Sequence, residues 1–389
     1  MSEIKKLINL RILIGISFAF LGIFLNIFVY KNLNSIPLTI YGNMFSFLGT
    51  ILGFSFIGYL ISLYKYSIDR VFSLGILSAL FSFIILLFGQ SQGLIFTFLF
   101  FWGLCIGLIW NGINTLELSN IPKKERSVYT AKTGFYLKII SVIAPLIISF
   151  LFLIFNQKAY FFIFLFSAIS FIFCLINLKK IEIYLPEKVD LRDFKTFYKF
   201  KNKYIHIYGF LNGIEQALDI SLFPIATLFI LKNELNIGFF TTAISIISIA
   251  LLYFGMKIRA DYNPGKVLIA LSILFSINIL IFAISPNFIT FIILSGAELL
   301  LAPQINISKH NLDLYTMHIG SSDNKKFYPN MLFREINLFV GRIFGGFLLV
   351  FTIMIQTENK FILSYGFILL AIIYILSAFI GSKIYNQYQ

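Results

Sequence analysis

Apolar runs of about twenty residues follow one another along almost the whole 389-residue chain, separated only by short polar stretches. A helix needs roughly 17 to 25 such residues to cross the hydrocarbon of a bilayer, and little sequence is left for a soluble domain larger than a loop. Charged residues make up 12% of the chain, against about 25% in a typical soluble domain. That density cannot cover a water-soluble globule. In lipid every backbone amide must be paired internally, which leaves helices and closed barrels. Barrel strands would be about ten residues long with strict alternation, a pattern that is absent. The sequence therefore predicts an all-α membrane protein.

Twelve spans are predicted: 11–31, 38–61, 71–89, 93–116, 132–155, 159–178, 204–231, 237–258, 265–284, 287–308, 327–355 and 360–382. Their breaks coincide with turn residues, as in Asn32 to Pro37, Gly89 to Gly93, Asn156 to Lys158 and Ser285-Pro286-Asn287. Lys5, Lys6 and Arg11 precede the first run, and no small-residue cleavage site closes it, so an uncleaved first helix is expected. With the N-terminus in the cytoplasm, 24 of the 31 Lys and Arg fall in cytoplasmic segments, Lys309 among them, and four in external loops. The positive-inside rule then places both termini in the cytoplasm of a multi-pass protein of the cell membrane. The net charge of +14 reflects this asymmetry and attraction to anionic lipid, not nucleic-acid binding. The longest connection, 179–203, is a basic cytoplasmic linker. It divides the chain into a bundle at 1–178 and a second at 204–389, each of six helices.

Cys105 and Cys174 lie inside apolar runs and read as small packing residues. His206, His310 and His318 show no metal-ligand spacing. There is no Walker loop, no Gly-x-Ser-x-Gly and no Cys-x-x-Cys. Neither a cofactor nor a metal is expected, and the short external loops argue against a membrane-embedded transferase.

Twelve spans, both termini inside and a charged loop after the sixth resemble the major facilitator superfamily over the whole chain. That family's signature loop between helices 2 and 3 is matched by Gly58 and Leu60, without its acid and arginine; Asp69-Arg70 follow later as a displaced version. Its helix 5 motif survives as Pro145 alone, and helix 11 carries Gly341-Arg342-Ile343-Phe344-Gly345-Gly346. The resemblance implies two helical pseudo-repeats working by alternating access.

Ionisable side chains within spans are costly and usually functional. Seven fall there: Lys138, Glu215, Asp219, Glu298, Arg334, Glu335 and Arg342. In helix 7, Asn212, Glu215, Gln216 and Asp219 stand at i, i+3, i+4 and i+7, forming one polar stripe. Glu215 lies roughly 16 Å in from the cytoplasmic end, near the midplane where transporter sites tend to lie. Two acids on adjacent turns disfavour a second ionised carboxylate, so proton loading and release is expected at Glu215 and Asp219. Glu298, Glu335 and Arg342 are expected to form the opposite polar wall. The seven groups hold three positive and four negative charges, which one proton would neutralise. Arg334, Asn111, Asn114, Glu117 and Lys138 are further candidates for the cavity or a gate. For Glu335 with an arginine the alternative is a structural ion pair; for Lys138 it is snorkelling to the surface; for the asparagines it is interhelical hydrogen bonding.

The sequence thus predicts a monomeric secondary active transporter, proton-coupled, that moves a small solute, an exporter being one form of this reading. The alternative cargo is a lipid-linked or amphipathic molecule, which would make the protein a flippase. Protons and membrane lipids are the other expected partners.

Overall fold

The computed structural model describes residues 3–57, 68–121, 125–178, 203–255, 264–318, 328–355 and 363–388. The α-helices among them are α1 (Glu3–Leu33), α2 (Ile36–Ile51), α3 (Ile68–Ile85), α4 (Gln92–Asn120), α5 (Arg126–Phe155), α6 (Ala159–Leu178), α7 (Lys203–Leu231), α8 (Glu234–Gly255), α9 (Pro264–Ile284), α10 (Phe288–His318), α11 (Tyr328–Ile355) and α12 (Ser364–Tyr388). The predicted linker up to residue 202 and the signature stretch from Gly58 lie outside the described residues.

The helices stop where the turn chemistry says they should. Ser35 caps α2 by accepting from the Leu38 amide. Asn287 caps α10, its Oδ1 accepting from the amides of Ile289 and Thr290 at 2.9 and 3.0 Å. Gly89, at φ 137°, ends the short 3-10 turn Leu86–Phe88 in a conformation open to glycine. Two interruptions are not readable from hydropathy. A bend at Gly22 (φ 29°, ψ −129°) divides α1. A π-helical turn, Leu52–Ile57, extends α2, and the Phe54 carbonyl there accepts from the Asn111 amide at 2.7 Å.

Ten stretches among the described residues are long and apolar enough to cross a membrane. One of them, Val128–Leu178, takes in both α5 and α6, and α8 contributes a shorter apolar helix, Glu234–Ile247. Large apolar side chains also cover outward faces, among them Leu77, Phe81 and Ile84 on α3 and Ile277 and Ile281 on α9. Such faces suit lipid and not water. The chain is a multi-pass membrane protein.

The helices form two compact units, residues 1–199 with 317–336, and residues 200–316 with 337–389. In the first, α1 packs on α5 and α6, and α4 packs on α2 and α3. Backbones of α2 and α4 touch: a Cβ on Gly103 or Gly107 would stand 1.9 and 2.1 Å from the carbonyls of Ser46 and Thr50, so only glycine permits that approach. In the second unit α12 packs on α7 and α9. Small hydroxyls bond across helices, Ser167 to the Ser17 carbonyl in the first unit and Ser276 to the Ala371 carbonyl in the second, both at 3.0 Å.

Candidate functional site: a buried charge cluster on α7, α10 and α12

Helix α7 is apolar on nearly every side, with Ile205, Leu218, Leu222 and Ala226 all buried. Its polar stripe therefore points into protein. Asn212 and Glu215 are 6% and 5% exposed, and Gln216 and Asp219 are partly buried. Gly213 and Gly341 bring α7 and α11 together; a Cβ on either would lie 2.2 or 2.1 Å from a carbonyl of the other helix. That proximity lets Arg342 Nε donate to Gln216 Oε1 at 2.9 Å.

The partner of Glu215 was not among the sequence candidates. Helix α10 runs ten residues past the predicted end of its span, to His318. Lys309, assigned from sequence to the cytoplasmic segment, lies inside it and is 8% exposed. Its Nζ donates to both carboxylate oxygens of Glu215. It also stands 4.8 Å from the ring centre of Tyr374 on α12. The reason is periodicity: Ile305 and Leu312, at i−4 and i+3, are fully buried, so the same face carries Lys309 inward. Mean hydropathy falls across Lys309-His310-Asn311-Leu312-Asp313, which truncated the predicted span. The continuing apolar phase was the available signal.

The same extension of α10 carries Asp313, also buried, into the helix with Lys309. The predicted set thus gains one base and one acid, and its excess of one acid is unchanged. The pairing around Glu215 is local. Ser377 of α12 donates to Glu215 Oε2 at 3.0 Å, so Glu215 is held by two partners. Tyr374 donates to Asp219 Oδ2 at 2.9 Å. Asp219 Oδ1 is buried with no hydrogen-bond partner among the described residues, and so is Asn212 Oδ1. Glu215, Asp219, Lys309, Tyr374 and Ser377 thus form one buried network of α7, α10 and α12. Burying a charge is costly unless it is paired, and within this network the Asp219 carboxylate is met by one hydroxyl where Glu215 is met by an ammonium and a hydroxyl.

The remaining candidates lie elsewhere. In the first unit, Asn111, Asn114 and Glu117 of α4 are all buried. Tyr129 of α5 donates to Glu117 Oε1 at 3.0 Å, and Arg11 Nε of α1 stands 3.8 Å from the same oxygen. The Arg11 guanidinium lies 4.4 Å over the Trp110 ring. Lys138 is half-buried on α5. Arg334 and Glu335 face each other at 4.0 Å on the segment of α11 that belongs to the first unit. In the second unit, Asn337 Nδ2 bonds His206 Nδ1 at 2.8 Å. Among the described residues no three His, Cys, Asp or Glu gather to hold a metal ion.

No protein-family model matches the sequence, and no curated protein matches it. Solved structures do. The human organic anion transporter MFSD10 (TETRAN) superposes with a TM-score of 0.68 at 13% identity, over 98% of this chain and 100% of that one. The nucleoside transporter NupG gives 0.68 at 14% identity over 100% of both chains. A POT family transporter in complex with a thioalcohol-conjugated peptide gives 0.69 at 12% identity, over 96% and 94%. The chain has a major facilitator-type fold. The Glu215–Lys309 cluster therefore belongs to the second unit of a major facilitator-type architecture, on α7, α10 and α12.

Proposed function

We infer that this protein is a proton-coupled secondary active transporter of a small solute. Twelve spans would form two six-helix halves, 1–178 and 204–389, joined by the cytoplasmic linker 179–203. These halves would alternate access to a central path in the cell membrane, with both termini inside and the chain acting as a monomer. The neighbours of like fold carry nucleosides, peptides and organic anions, which supports a small-molecule cargo. The observation that carries the coupling is the second α7 acid, Asp219, which takes one hydrogen bond from Tyr374 and has a buried Oδ1 with no hydrogen-bond partner among the described residues. A buried acid so placed inside a membrane protein can take up a proton and release it again. If that exchange occurs on opposite sides in the two access states, the proton gradient does work on the solute. Asp219 is the group assigned to this exchange, since Glu215 is tied to Lys309 and Ser377.

The test uses proteoliposomes that enclose a pH-sensitive dye. Nucleosides, short peptides, amines and organic anions are added in turn under an imposed potential. A solute-dependent proton flux is expected, abolished in Asp219→Asn and retained in Arg11→Met. Flux that survives unchanged in Asp219→Asn overturns the assignment.

A further inference from the structure

Contacts between α7 and α12 run in opposite senses along the two helices: Asp219 meets Tyr374, Glu215 meets Ser377, and Tyr204 meets Lys383. The pair is antiparallel, so the start of α7 lies beside the end of α12. Two lysines converge there on one ring. Lys203 opens α7, and Lys383 stands in the last turns of α12. Their Nζ atoms lie 5.4 and 5.6 Å from the ring centre of Tyr204, and both side chains are exposed. The ring attracts each cation, but it holds two like charges close together. The helices that carry them supply no counter-charge. Helix α12 has no acidic residue, and the acids of α7, Glu215 and Asp219, lie about three turns or more further in.

The same surface turns apolar away from the lysines. Ile372, Leu376, Phe379 and Lys383 stand at i, i+4, i+7 and i+11, on one face of α12. The three apolar members are all exposed. On α7, Ile207 is exposed one turn after Lys203. A free anion would match the lysines alone, and an uncharged chain would match the stripe alone. A molecule with an anionic head and an apolar tail matches both.

We propose that the paired ends of α7 and α12 bind an anionic phospholipid. Its phosphate lies on Lys203 and Lys383 beside the Tyr204 ring, and one acyl chain runs along Ile372, Leu376 and Phe379. The site goes beyond the transporter reading and uses none of the groups on the α7 stripe. In the orientation proposed above it faces the inner leaflet, whose surface is negatively charged.

The test places the full chain, with Tyr204→Trp as reporter, in phosphatidylcholine nanodiscs. Tryptophan keeps an aromatic face for the lysines. The probe is a minor fraction of phosphatidylglycerol brominated in its acyl chains, which quenches a nearby indole. Brominated phosphatidylcholine is the net-neutral comparison, and the parent chain gives the background from Trp102 and Trp110. Half-quenching is expected at about tenfold lower mole fraction for phosphatidylglycerol. Lys203→Gln with Lys383→Gln is expected to cut that preference by about fivefold or more. Lys5→Gln with Lys132→Gln, which removes two exposed lysines of the first unit, is expected to leave it within about twofold. Native mass spectrometry of retained phosphatidylglycerol repeats the comparison of the two lysine pairs in the chain without the reporter. Equal quenching by the two lipids, a preference unchanged in Lys203→Gln with Lys383→Gln, or an equal loss in Lys5→Gln with Lys132→Gln overturns the proposal. Displacement of the lipid by inorganic phosphate at matched ionic strength overturns it as well, since the lysines would then hold a free anion.

Discussion

The two units contain the same device with the charges exchanged. In the first, a base on α1, Arg11, meets an acid on α4, Glu117, 3.8 Å away. In the second, an acid on α7, Glu215, meets a base on α10, Lys309. These are the first and fourth helices of each predicted half. Each cation also lies over an aromatic ring, Trp110 at 4.4 Å and Tyr374 at 4.8 Å. Each unit has a tyrosine donating to a carboxylate, Tyr129 to Glu117 and Tyr374 to Asp219. The difference is stoichiometry. Arg11 and Glu117 balance one to one, as a clasp between helices does. Beside the Glu215–Lys309 pair stands a second buried acid, Asp219, whose Oδ1 has no hydrogen-bond partner among the described residues. In the function proposed above, similar geometry serves as a fastening in one unit and a proton site in the other. What separates them is that second acid.

The comparison is broken most directly at Lys309. Lys309→Met leaves Glu215 buried opposite no cation, and losing one member of a buried pair costs about 3–5 kcal/mol. The expected result is a large fall in thermal unfolding midpoint in detergent together with loss of proton flux. Adding Glu215→Gln to that variant should restore much of the midpoint and none of the flux. If the double variant transports normally, the pair is a fastening and the contrast between units collapses. Arg11→Met should cost less, about 1–3 kcal/mol, the penalty for a buried carboxylate that keeps one hydrogen bond from Tyr129. Its solute-dependent flux should persist; abolished flux in folded Arg11→Met would make the first unit a functional site as well. The smallest effect is expected for Asn111→Leu. It strips the Phe54 carbonyl of its 2.7 Å bond, worth about 1 kcal/mol. A midpoint shift without altered flux would keep Asn111 with the structural half of the comparison.

The helices were legible because lipid imposes simple demands on sequence. Runs of suitable length end at Asn287, at Gly89 and at the Ser35 cap, where side chains or glycine supply what the backbone needs. The α7 stripe was legible for the same reason, since four polar residues at helical spacing cannot face hydrocarbon. Lys309 was missed because hydropathy averages over a window, and the polar residues around it outweighed Ile305 and Leu312. Tyr374 and Ser377 carried no signal at all. On α12 they look like ordinary residues of a membrane helix, and their importance comes from which helix packs opposite. The bend at Gly22 was equally silent, since glycine is common in spans.

That bend makes α1 two rods instead of one. The rod that carries Arg11 ends at Gly22, and the rod that carries Phe24 and Phe28 begins after it. A methyl group at position 22 would touch no neighbour, so nothing but backbone torsion selects the residue there. Gly22→Ala thus isolates a steering joint from the packing around it. Any change in how Arg11 sits on Trp110 would then report torque transmitted through the chain itself.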